Sequence, residues 1–374
     1  MRLCLTAAVL SLGLVLAACS SPVTPEAEPV GLFDDAPYLP ALASAQSGNW
    51  QFLQTGGMQC RDGSRTGFGL RRRSGSPNLL ILLQGGGACY DFFSCLTNRS
   101  SFDRDDFDDF IAEFGNAGVF EADNADNPFG DWNVIFVPYC TGDVHSGDAP
   151  NTVTPGVFGR QDFVGYSNME SMLGRIAGQA KRARKVVLAG ESAGGFGVLG
   201  TYGLVADELA PAPIDFLNDS GPVPADDDVL SPSLQKQWRD LWNLDAALPE
   251  GCTDCSLPNG DGLENVTPFY AAQNPDRSFG LISTERDFVI RTFFGFPSAS
   301  AFEDGLYDIR ASLPPGNSGT YFPAGEGHTF LLSSFYTSSI NGTSLASWTE
   351  AFVNGEPFDL PAVRPAAAPV AVAE

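Results

Sequence analysis

Residues 185–195 read Lys-Val-Val-Leu-Ala-Gly-Glu-Ser-Ala-Gly-Gly, and this stretch decides the fold. Its first half is an apolar run with β-branched residues, which predicts a strand, and small residues in a helical pattern follow. Gly190 to Gly194 fit the pattern G-x-S-x-G, in which a strand turns sharply into a helix and lifts the serine to the edge of a sheet. Glycines are needed there because a Cβ would clash in so tight a turn. The stretch therefore predicts that Ser192 is an accessible nucleophile.

Apolar runs of strand length recur on both sides of this turn. The runs at 78–84 and 132–139 are nearly continuous, as expected for strands that are buried on both faces. A helix is predicted over 162–180, and the predicted strands are 50–53, 66–73, 78–84, 132–139, 185–189, 214–217, 279–282 and 320–322. Strands that alternate with helices indicate a mostly parallel sheet that helices cover on both sides. With the Ser192 turn, this pattern predicts an α/β-hydrolase fold that forms one catalytic domain over residues 49–358.

Residues 222–258 interrupt this alternation. Leu234, Trp238, Leu241 and Trp242 recur in this segment at helical spacing. Such an insertion is either a helical cap over the catalytic site or a helix that packs onto the core, and the sequence leaves both interpretations open. In the first case, Trp238 and Trp242 are expected to contact the substrate.

The N-terminus has the pattern of an export signal. A basic residue precedes an apolar run over 3–16, which is too short for a permanent transmembrane helix. Residues 16–19, Leu-Ala-Ala-Cys, are similar to the bacterial lipobox. Residues 1–18 are therefore predicted to be a lipoprotein signal peptide, with Cys19 as the lipidated N-terminus of the mature chain. The alternative is ordinary cleavage near residue 18, which would leave Cys19 as a free thiol.

Two further segments are low in complexity. Residues 19–48 are rich in Pro, Ala, Ser and acidic residues and predict a flexible tether, and residues 359–374 predict a disordered tail. No other segment is long and apolar enough to span a bilayer. The sequence thus predicts an exported protein of the bacterial cell envelope, in the outer membrane or periplasm or released from the cell. Its only contact with a membrane is expected to be the lipid anchor.

The chain carries a strong excess of acidic residues, with a formal net charge of −24 and a pI near 4.2. This charge excludes a nucleic-acid-binding protein on electrostatic grounds. It also disfavours a strongly acidic polymer as substrate, unless the site itself is locally neutral. A monomer is expected.

Six cysteines remain outside the export signal and its lipobox, and an even number in an exported chain indicates disulfides. The pairs that are closest in sequence are favoured, which leaves the last two cysteines for each other: Cys89–Cys95, Cys252–Cys255 and Cys60–Cys140. A zinc site is the rival interpretation for Cys252-x-x-Cys255. Because neither a second such pair nor a histidine lies nearby, no metal site is predicted.

The chain has only two histidines, His145 and His328. A serine hydroxyl needs a neighbouring base, and histidine is the usual one at neutral pH. On this fold the order along the chain is serine, then acid, then histidine, so His328 is the predicted base. His145 precedes Ser192 and is expected to line the substrate pocket or to order its own loop.

A glycine run, Gly85-Gly86-Gly87, follows directly after the predicted strand 78–84. Backbone N–H groups must point at the negative charge that develops on a carbonyl oxygen under attack, and glycines let the backbone approach closely. The N–H of the residue after the nucleophile, here Ala193, is the other expected donor. The sequence therefore predicts an oxyanion hole at this run. No cofactor is needed for this chemistry.

The acid that orients the histidine has three candidates. Asp287 is favoured because it follows a predicted strand and precedes a helical pattern, as the acid does on this fold. Glu285 lies two residues earlier and competes with it. Asp219 is the third candidate, since some hydrolases carry the acid one strand earlier. The sequence leaves Glu285 and Asp219 open.

Three segments together resemble the pectin acetylesterase family, which includes plant and bacterial members and animal Notum. They are LLQGGGACYDFFSC at 82–95, DWNVIFVPYCTGDVHSGD at 131–148 and GESAGG at 190–195. The resemblance implies a serine carboxylesterase with Ser192 as nucleophile and His328 as base. It also implies that Gly86, Gly87 and Ala193 are the oxyanion donors and that Cys89 and Cys95 form a disulfide. Gln84 and Ala88 depart from the family pattern, which has Glu and Trp there.

The resemblance also implies classes of substrate. The first is an O-acetyl group on a polysaccharide such as pectin or xylan, which the protein would remove through an acyl-enzyme. The alternative is a longer acyl chain, as for a Notum-like fatty-acyl deacylase or an esterase of lipids or polyesters. A third hypothesis is a surface-binding lipoprotein that has lost catalysis. The retained Ser192, glycine run and His328 argue against this last hypothesis.

Overall fold

The computed structural model describes residues 31–34 and 47–360. The predicted signal peptide, Cys19 and most of the predicted tether and tail lie outside the described residues. Within the described part, no helix has both the length and the apolar character needed to cross a membrane.

A central sheet of eight strands organises the domain. The strands of the described residues are β1 (Trp50–Gln59), β2 (Arg65–Arg71), β3 (Asn78–Leu83), β4 (Asn133–Val137), β5 (Ala149–Val153), β6 (Arg160–Phe163), β7 (Lys185–Glu191), β8 (Ile214–Asp219), β9 (Phe279–Ile282), β10 (Ser318–Tyr321), β11 (Ser339–Ile340) and β12 (Thr343–Ser344). The order in the central sheet is β1-β2-β4-β3-β7-β8-β9-β10. β1 and β2 are antiparallel strands at one edge of this sheet. The other six strands, β4, β3, β7, β8, β9 and β10, are parallel to one another. β5 pairs with β6 and β11 with β12 in two separate ribbons.

Helices connect the parallel strands and cover both faces of the sheet. They are α1 (Phe92–Thr97), α2 (Arg104–Phe114), α3 (Gly165–Ala180), α4 (Ala193–Glu208), α5 (Pro232–Trp242), α6 (Val266–Gln273), α7 (Phe288–Phe293), α8 (Ala299–Ser312) and α9 (Leu345–Asn354). Short 3₁₀ helices lie at Gly118–Phe120, Leu244–Ala247 and Leu263–Asn265. The prediction of a mostly parallel sheet between helices is confirmed.

The alternation of side chains along the central strands creates two apolar cores. In β7, Val186 and Leu188 face one core together with α3, α4 and α5, whereas Val187 and Ala189 face the other. The second core is closed by α2, α9 and the segment around Leu331. The cores therefore give the sheet a cap-side face, with α4 and α5, and an opposite face, with α2 and Leu331.

Two element boundaries differ from the predictions. The helix predicted over 162–180 begins at Gly165, because residues 160–163 pair with β5 instead. The first strand continues well beyond the predicted residue 53 to Gln59, with an irregularity in its pairing to β2 after Gln54. The irregularity breaks the alternation of side chains along the strand. The sequence pattern therefore predicted an end to the strand several residues too early.

The segment predicted as an insertion, 222–258, contains α5, a short 3₁₀ helix and a disulfide. The Cys252–Cys255 bridge closes its C-terminal end, and the Cys60–Cys140 and Cys89–Cys95 bridges lie in the first half of the domain. This pairing is the same as the one favoured from the sequence.

Candidate active site

Ser192 lies in the turn between β7 and α4 and has a left-handed backbone with φ = 55°. A Cβ on Gly190 would run into the carbonyl of Gly194, and a Cβ on Gly194 would run into that of Leu83. The crowding expected from the sequence is therefore real, and it explains the two glycines. The Ser192 N–H donates to the main-chain oxygen of Asp219 at 2.7 Å, which ties the turn to the end of β8.

The glycine run passes directly over this turn. A Cβ on Gly85 would lie 3.0 Å from the Ser192 Cβ, so only glycine allows the two segments to come so close. Gly86 and Gly87 have φ of +149° and +76°. Among the described residues, the N–H groups of Gly86 and Gly87 take part in no backbone hydrogen bond. Ala193 is the first residue of α4, where helical N–H groups have no partner within the helix.

Several contacts fix the glycine run in place. The side-chain amide of Asn98 donates to the Gly86 oxygen at 2.8 Å. Just beyond the run, the Cys89 N–H donates to the Gly142 oxygen at 2.7 Å, and the Trp242 indole N–H donates to the Cys89 oxygen at 3.0 Å. The Cys89–Cys95 bridge then holds α1 against the same segment. The run is thus a preorganised element with free N–H donors, as an oxyanion site requires.

His328 lies on the loop after β10, and its Nδ1 is 2.7 Å from Oδ2 of Asp287. Asp287 is fully buried and caps α7, where its other oxygen accepts the Ile290 N–H at 3.0 Å. Thr284 donates to the oxygen of Gly327 at 2.6 Å and so holds the residue before the histidine. Because Asp287 accepts at Nδ1, the Nε2 atom of His328 is left to accept a proton.

The two rival acids have other partners. Glu285 accepts the hydroxyl of Tyr307 at 2.8 Å. Asp219 accepts two main-chain N–H groups, from Phe330 at 2.7 Å and Leu331 at 2.9 Å. Within the described part of the chain, Asp287 is therefore the one candidate of the three whose carboxylate contacts the His328 ring.

The loop that carries His328, residues 328–332, is bound by a second buried carboxyl. Glu191, the variable residue of the G-x-S-x-G pattern, accepts the Leu332 N–H at 2.9 Å. Burial and the nearby Asp219 raise the pKa of Glu191 to about 8. Burial also raises the pKa of Asp219, while the N–H groups of the loop lower it. We call Glu191 and Asp219 the carboxyl pair, and residues 328–332 the histidine loop.

The backbone is strained at three points around this loop. Ser192, Ser220 and Thr329 are non-glycine residues with φ of 55°, 62° and 62°. Such conformations persist only where the surrounding structure imposes them, and they cluster at functional sites. Here the hydrogen bond from the Thr329 N–H to the Ser220 hydroxyl, at 3.3 Å, joins two of them.

His145 is buried and contacts the backbone at the end of β3. Its side chain is buried beneath the glycine run, with its ring 4.7 Å from that of Tyr139 and Nε2 2.8 Å from the Gln84 oxygen. Burial lowers its pKa to about 4, so the ring is neutral and donates from Nε2. His145 therefore holds the backbone just after the end of β3, and the expectation that it lines the substrate pocket stays a prediction.

A cleft with apolar walls opens beside Ser192 on the cap-side face, and its empty space is about 730 Å³ when the open mouth is included. Ser192, Gly87 and Ala193 are among the residues that line it. Both tryptophans of α5 form part of its wall, and their rings stack at 5.9 Å. The other walls include Ala88, Phe196, Leu199, Ile290 and Phe293. Trp238 and Trp242 are buried and also line this cleft, so α5 packs onto the core and forms part of the cleft wall, while the role of the segment as a cap stays a prediction.

A second cleft lies on the other side of the glycine run, against α2, with an empty volume of about 820 Å³ including its mouth. We call these the apolar cleft and the polar cleft. Gln84, Gly85 and Gly86 form the inner end of the polar cleft. Its walls combine aromatic rings with charged side chains: Phe102, Phe110, Tyr139, Arg99, Asp109 and Glu113.

The sequence did not single out Glu191 or Asn98. Glu191 stands at a position where the pattern accepts any residue, and Asn98 lies in a loop with no motif of its own. The only available signal for Glu191 was a carboxyl at the end of a fully apolar strand, which burial makes costly unless it is bonded. In the described part of the chain, no cluster of three or more His, Cys, Asp or Glu side chains is arranged to hold a metal ion.

Comparison with known proteins gives a family match over most of the domain. Residues 43–269 match the protein-family model described as Pectinacetylesterase. This range contains Ser192 and the glycine run, whereas Asp287 and His328 lie beyond it. The contact between Asp287 and His328 is therefore an observation of the structure and lies outside the match.

Individual relatives cover less. The palmitoleoyl-protein carboxylesterase notum1 of Xenopus laevis is 33% identical over 162 residues, which are 42% of this chain and 32% of that protein. Pectin acetylesterase 4 of Arabidopsis thaliana is 30% identical over 231 residues, 57% of this chain and 55% of that protein. The matched segments thus span between a third and just over half of these relatives.

Among solved structures, the Wnt deacylase Notum from Drosophila superposes with a TM-score of 0.63 at 19% identity. The superposition covers 83% of this chain and 93% of the Notum chain. This likeness shows a shared fold, the α/β-hydrolase arrangement predicted from the Ser192 turn.

Proposed function

The chain belongs to the pectinacetylesterase family, and from that premise we propose that it is a serine carboxylesterase with Ser192 as nucleophile, His328 as base and Asp287 as the orienting acid. The observation that carries this proposal is the contact of the buried Asp287 with Nδ1 of His328, at 2.7 Å. It leaves Nε2 free to take a proton. Ser192 lies at the same carboxyl edge of the sheet, at the end of β7.

The proposed reaction is hydrolysis of a carboxylic ester in two halves. Nε2 of His328 removes the Ser192 proton while Oγ bonds to the carbonyl carbon, and the carbonyl oxygen becomes an oxyanion. The N–H groups of Gly86, Gly87 and Ala193 stabilise that charge. The bond to the alcohol oxygen breaks as His328 returns the proton to it, leaving an acyl-serine. Water then attacks the acyl-serine by the same steps and releases the acid.

The apolar cleft supports an acyl group longer than acetyl. An acetyl group fills little space beside Ser192, whereas burial of each further methylene against apolar walls contributes about 0.8 kcal/mol. Ala88, which stands in the wall of this cleft, leaves more room than a bulky residue would. We therefore favour esters with an extended acyl chain.

An O-acetylated polysaccharide is the second candidate, and family membership favours it. The polar cleft fits the alcohol side of such a substrate, because aromatic rings can stack on the faces of sugar rings while carboxylates and Arg99 bond to hydroxyl groups. Its carboxylates repel uronate units, so this candidate is a neutral sugar chain more than bare pectin.

A chain-length series tests the activity and its substrate class together. Labelling by a fluorophosphonate probe should occur in the wild type and disappear in Ser192→Ala. Rates on p-nitrophenyl esters that rise from acetate towards longer chains support the extended acyl group. A sharp loss beyond acetate, with release of acetate from acetylated xylan, would select the polysaccharide candidate. An unlabelled, inactive wild type would reject an esterase and leave the surface-binding hypothesis.

We also propose export followed by lipid anchoring through Cys19. Three disulfides in the folded domain support an oxidising compartment. Expression of the full chain and of Cys19→Ser in a bacterium tests the anchor. The variant should move from the membrane fraction to the soluble fraction, and an unchanged distribution would contradict the proposal.

A further inference from the structure

We propose that the carboxyl pair, Glu191 and Asp219, positions His328 by holding the histidine loop, and that Glu191 does so in its protonated form. This inference rests on the proposed function, because it concerns the geometry of the proposed base. Neither residue contacts the reacting atoms. Both act through the backbone of the loop.

The sheet register brings the two carboxyls together. Glu191 is the last residue of β7 and Asp219 the last residue of β8, and the two are direct partners in the parallel pairing. Both side chains point to the face of the sheet that α2 and Leu331 cover, as do Ala189 and Leu217 two residues earlier. The histidine loop crosses that face. The two carboxyl groups are therefore neighbours, because they stand at paired positions of adjacent strands and on the same face.

Three consecutive N–H groups of the loop point at the pair. The Phe330 and Leu331 N–H groups donate to one oxygen of Asp219 at 2.7 and 2.9 Å, and the Leu332 N–H donates to Glu191 at 2.9 Å. A loop segment with its N–H groups bound in succession cannot shift without breaking several buried hydrogen bonds. These bonds also hold His328 in place, because it lies two residues before Phe330 on the same loop.

Asp219 bonds to both segments that carry the proposed catalytic residues, the turn of Ser192 and the histidine loop. Its main-chain oxygen accepts the Ser192 N–H at 2.7 Å, while its side chain holds the histidine loop. Its second carboxyl oxygen accepts the Ser220 hydroxyl at 2.9 Å, and Ser220 in turn accepts from Thr329. A single residue therefore sets the nucleophile turn and the histidine loop relative to each other.

The charges around the pair require one of the carboxyls to be neutral. Both are buried, and no lysine or arginine of the described residues forms an ion pair with either. The other titratable group of the described residues that acts on the pair is His328, on the loop, which lowers the pKa of Asp219. Two adjacent buried carboxylates without a cation are strongly unfavourable, so one keeps its proton at neutral pH.

Glu191 is the one that stays protonated. Among the described residues, the Asp219 carboxyl accepts three hydrogen bonds, which stabilise its charged form, whereas the Glu191 carboxyl accepts one. Burial and then Asp219 raise the pKa of Glu191 to about 8. Above that pH Glu191 ionises beside Asp219, and repulsion between the two charges loosens the loop. Activity should then fall although the ester chemistry itself favours a deprotonated histidine.

The test compares Glu191→Gln and Glu191→Ala with Glu285→Gln, a matched control whose buried carboxyl bonds Tyr307 and not the loop. Each protein is assayed for kcat and KM from pH 6 to pH 10. We expect wild type and Glu285→Gln to lose activity above about pH 8. Glu191→Gln cannot ionise at this position, so it should keep its activity over the same alkaline range. Glu191→Ala strands the Leu332 N–H and should lower kcat about 10- to 100-fold with KM changed less than about threefold.

Thermal unfolding gives a second readout that needs no substrate. The Glu191 pKa is higher in the folded state than in the unfolded chain, so unfolding releases a proton between about pH 4.5 and about pH 8. Wild-type stability therefore falls as pH rises through that window. The melting temperature of Glu191→Gln relative to wild type should increase over the same range.

The outcomes separate the two proposals. Wild-type protein that no fluorophosphonate labels would refute the esterase function. Labelled wild type together with Glu191→Gln that keeps the alkaline decline, or with folded Glu191→Ala that keeps wild-type kcat, would overturn the positioning role alone. If Glu191→Ala does not fold, the pH profile and melting series of Glu191→Gln still decide.

Discussion

The two clefts that flank the glycine run differ in chemistry although they share it as a wall. The apolar cleft lies between α4, α5 and α7 and is lined almost entirely by hydrocarbon, whereas the polar cleft lies against α2 and carries Arg99, Asp109 and Glu113. An ester has two halves that leave the reaction separately. The contrast suggests a division of the proposed substrate, in which we expect the acyl half in the apolar cleft and the alcohol half in the polar cleft.

The sheet is the reason for this separation. Ser192 and the glycine run stand at its carboxyl edge, so the space on either side belongs to different faces. The histidine loop packs on the face that α2 also covers. In the proposed reaction His328 returns its proton to the departing alcohol, so we expect the alcohol on the side of the polar cleft.

Ser192→Ala should have the largest effect, because both clefts depend on one nucleophile. We expect kcat to fall by about 10⁴- to 10⁶-fold on short and long esters alike. Ser300→Ala, an exposed serine on α8, is the control and should keep wild-type rates. Steady-state kinetics with matched melting curves measure this. Residual hydrolysis of one class of ester would show that a cleft has its own catalytic group.

Asp287→Asn comes next and should lower kcat about 10³- to 10⁴-fold, because the amide no longer holds His328 in the tautomer that accepts at Nε2. Glu285→Gln is the matched control, since Glu285 bonds Tyr307 and not His328. The loss should be the same for esters of any acyl length. If Glu285→Gln shows the larger loss, the acid has been assigned to the wrong residue.

Filling the apolar cleft should divide the substrates by acyl length. Ala247 is buried in its wall, and Ala247→Phe should lower kcat/KM for long-chain esters about 10- to 100-fold while acetate esters change little. The neighbouring Ala246 is exposed, so Ala246→Phe controls for the added bulk. The ratio of octanoate to acetate kcat/KM is the measurement. An equal loss for both esters would mean that the acyl group lies elsewhere.

Removing charge from the polar cleft should have the smallest effect. The double variant Asp109→Asn, Glu113→Gln should raise kcat/KM for acetylated uronate oligosaccharides about two- to fivefold, because exposed charges act weakly. The gain should shrink as salt is added. Asp105→Asn, also exposed on α2 but outside the cleft, should leave the rate unaltered. A gain that is equal for p-nitrophenyl acetate would contradict an alcohol-side role.

The parts of the site that local chemistry determines were predictable. The Ser192 turn, the glycine run and the parallel sheet each have a sequence pattern that follows from backbone geometry. The scarcity of histidine selected His328, and Asp287 was favoured by its place after β9. Its contact with His328 required the fold, because the two residues are 41 positions apart.

Other features depend on tertiary packing and have no recognisable pattern in the sequence. His145 is buried beneath β3 because its neutral ring satisfies the Gln84 carbonyl, and nothing in its own segment indicates that partner. Trp238 and Trp242 serve the core and the cleft together, which helical spacing cannot distinguish. The pairing of Glu191 with Asp219 depends on the register of β7 and β8, which only the assembled sheet defines.

The strained backbone at Ser192, Ser220 and Thr329 has a practical consequence. Each left-handed residue costs about 1 to 3 kcal/mol, which is offset only while the surrounding hydrogen bonds are intact. On warming, we expect this neighbourhood to open at a lower free energy than the sheet beneath it. We therefore expect ester turnover to cease several degrees below the calorimetric transition, and we expect this small region to limit the shelf life of an active preparation. Engineering for durability should begin at the three strained positions and their partners, before the hydrophobic core.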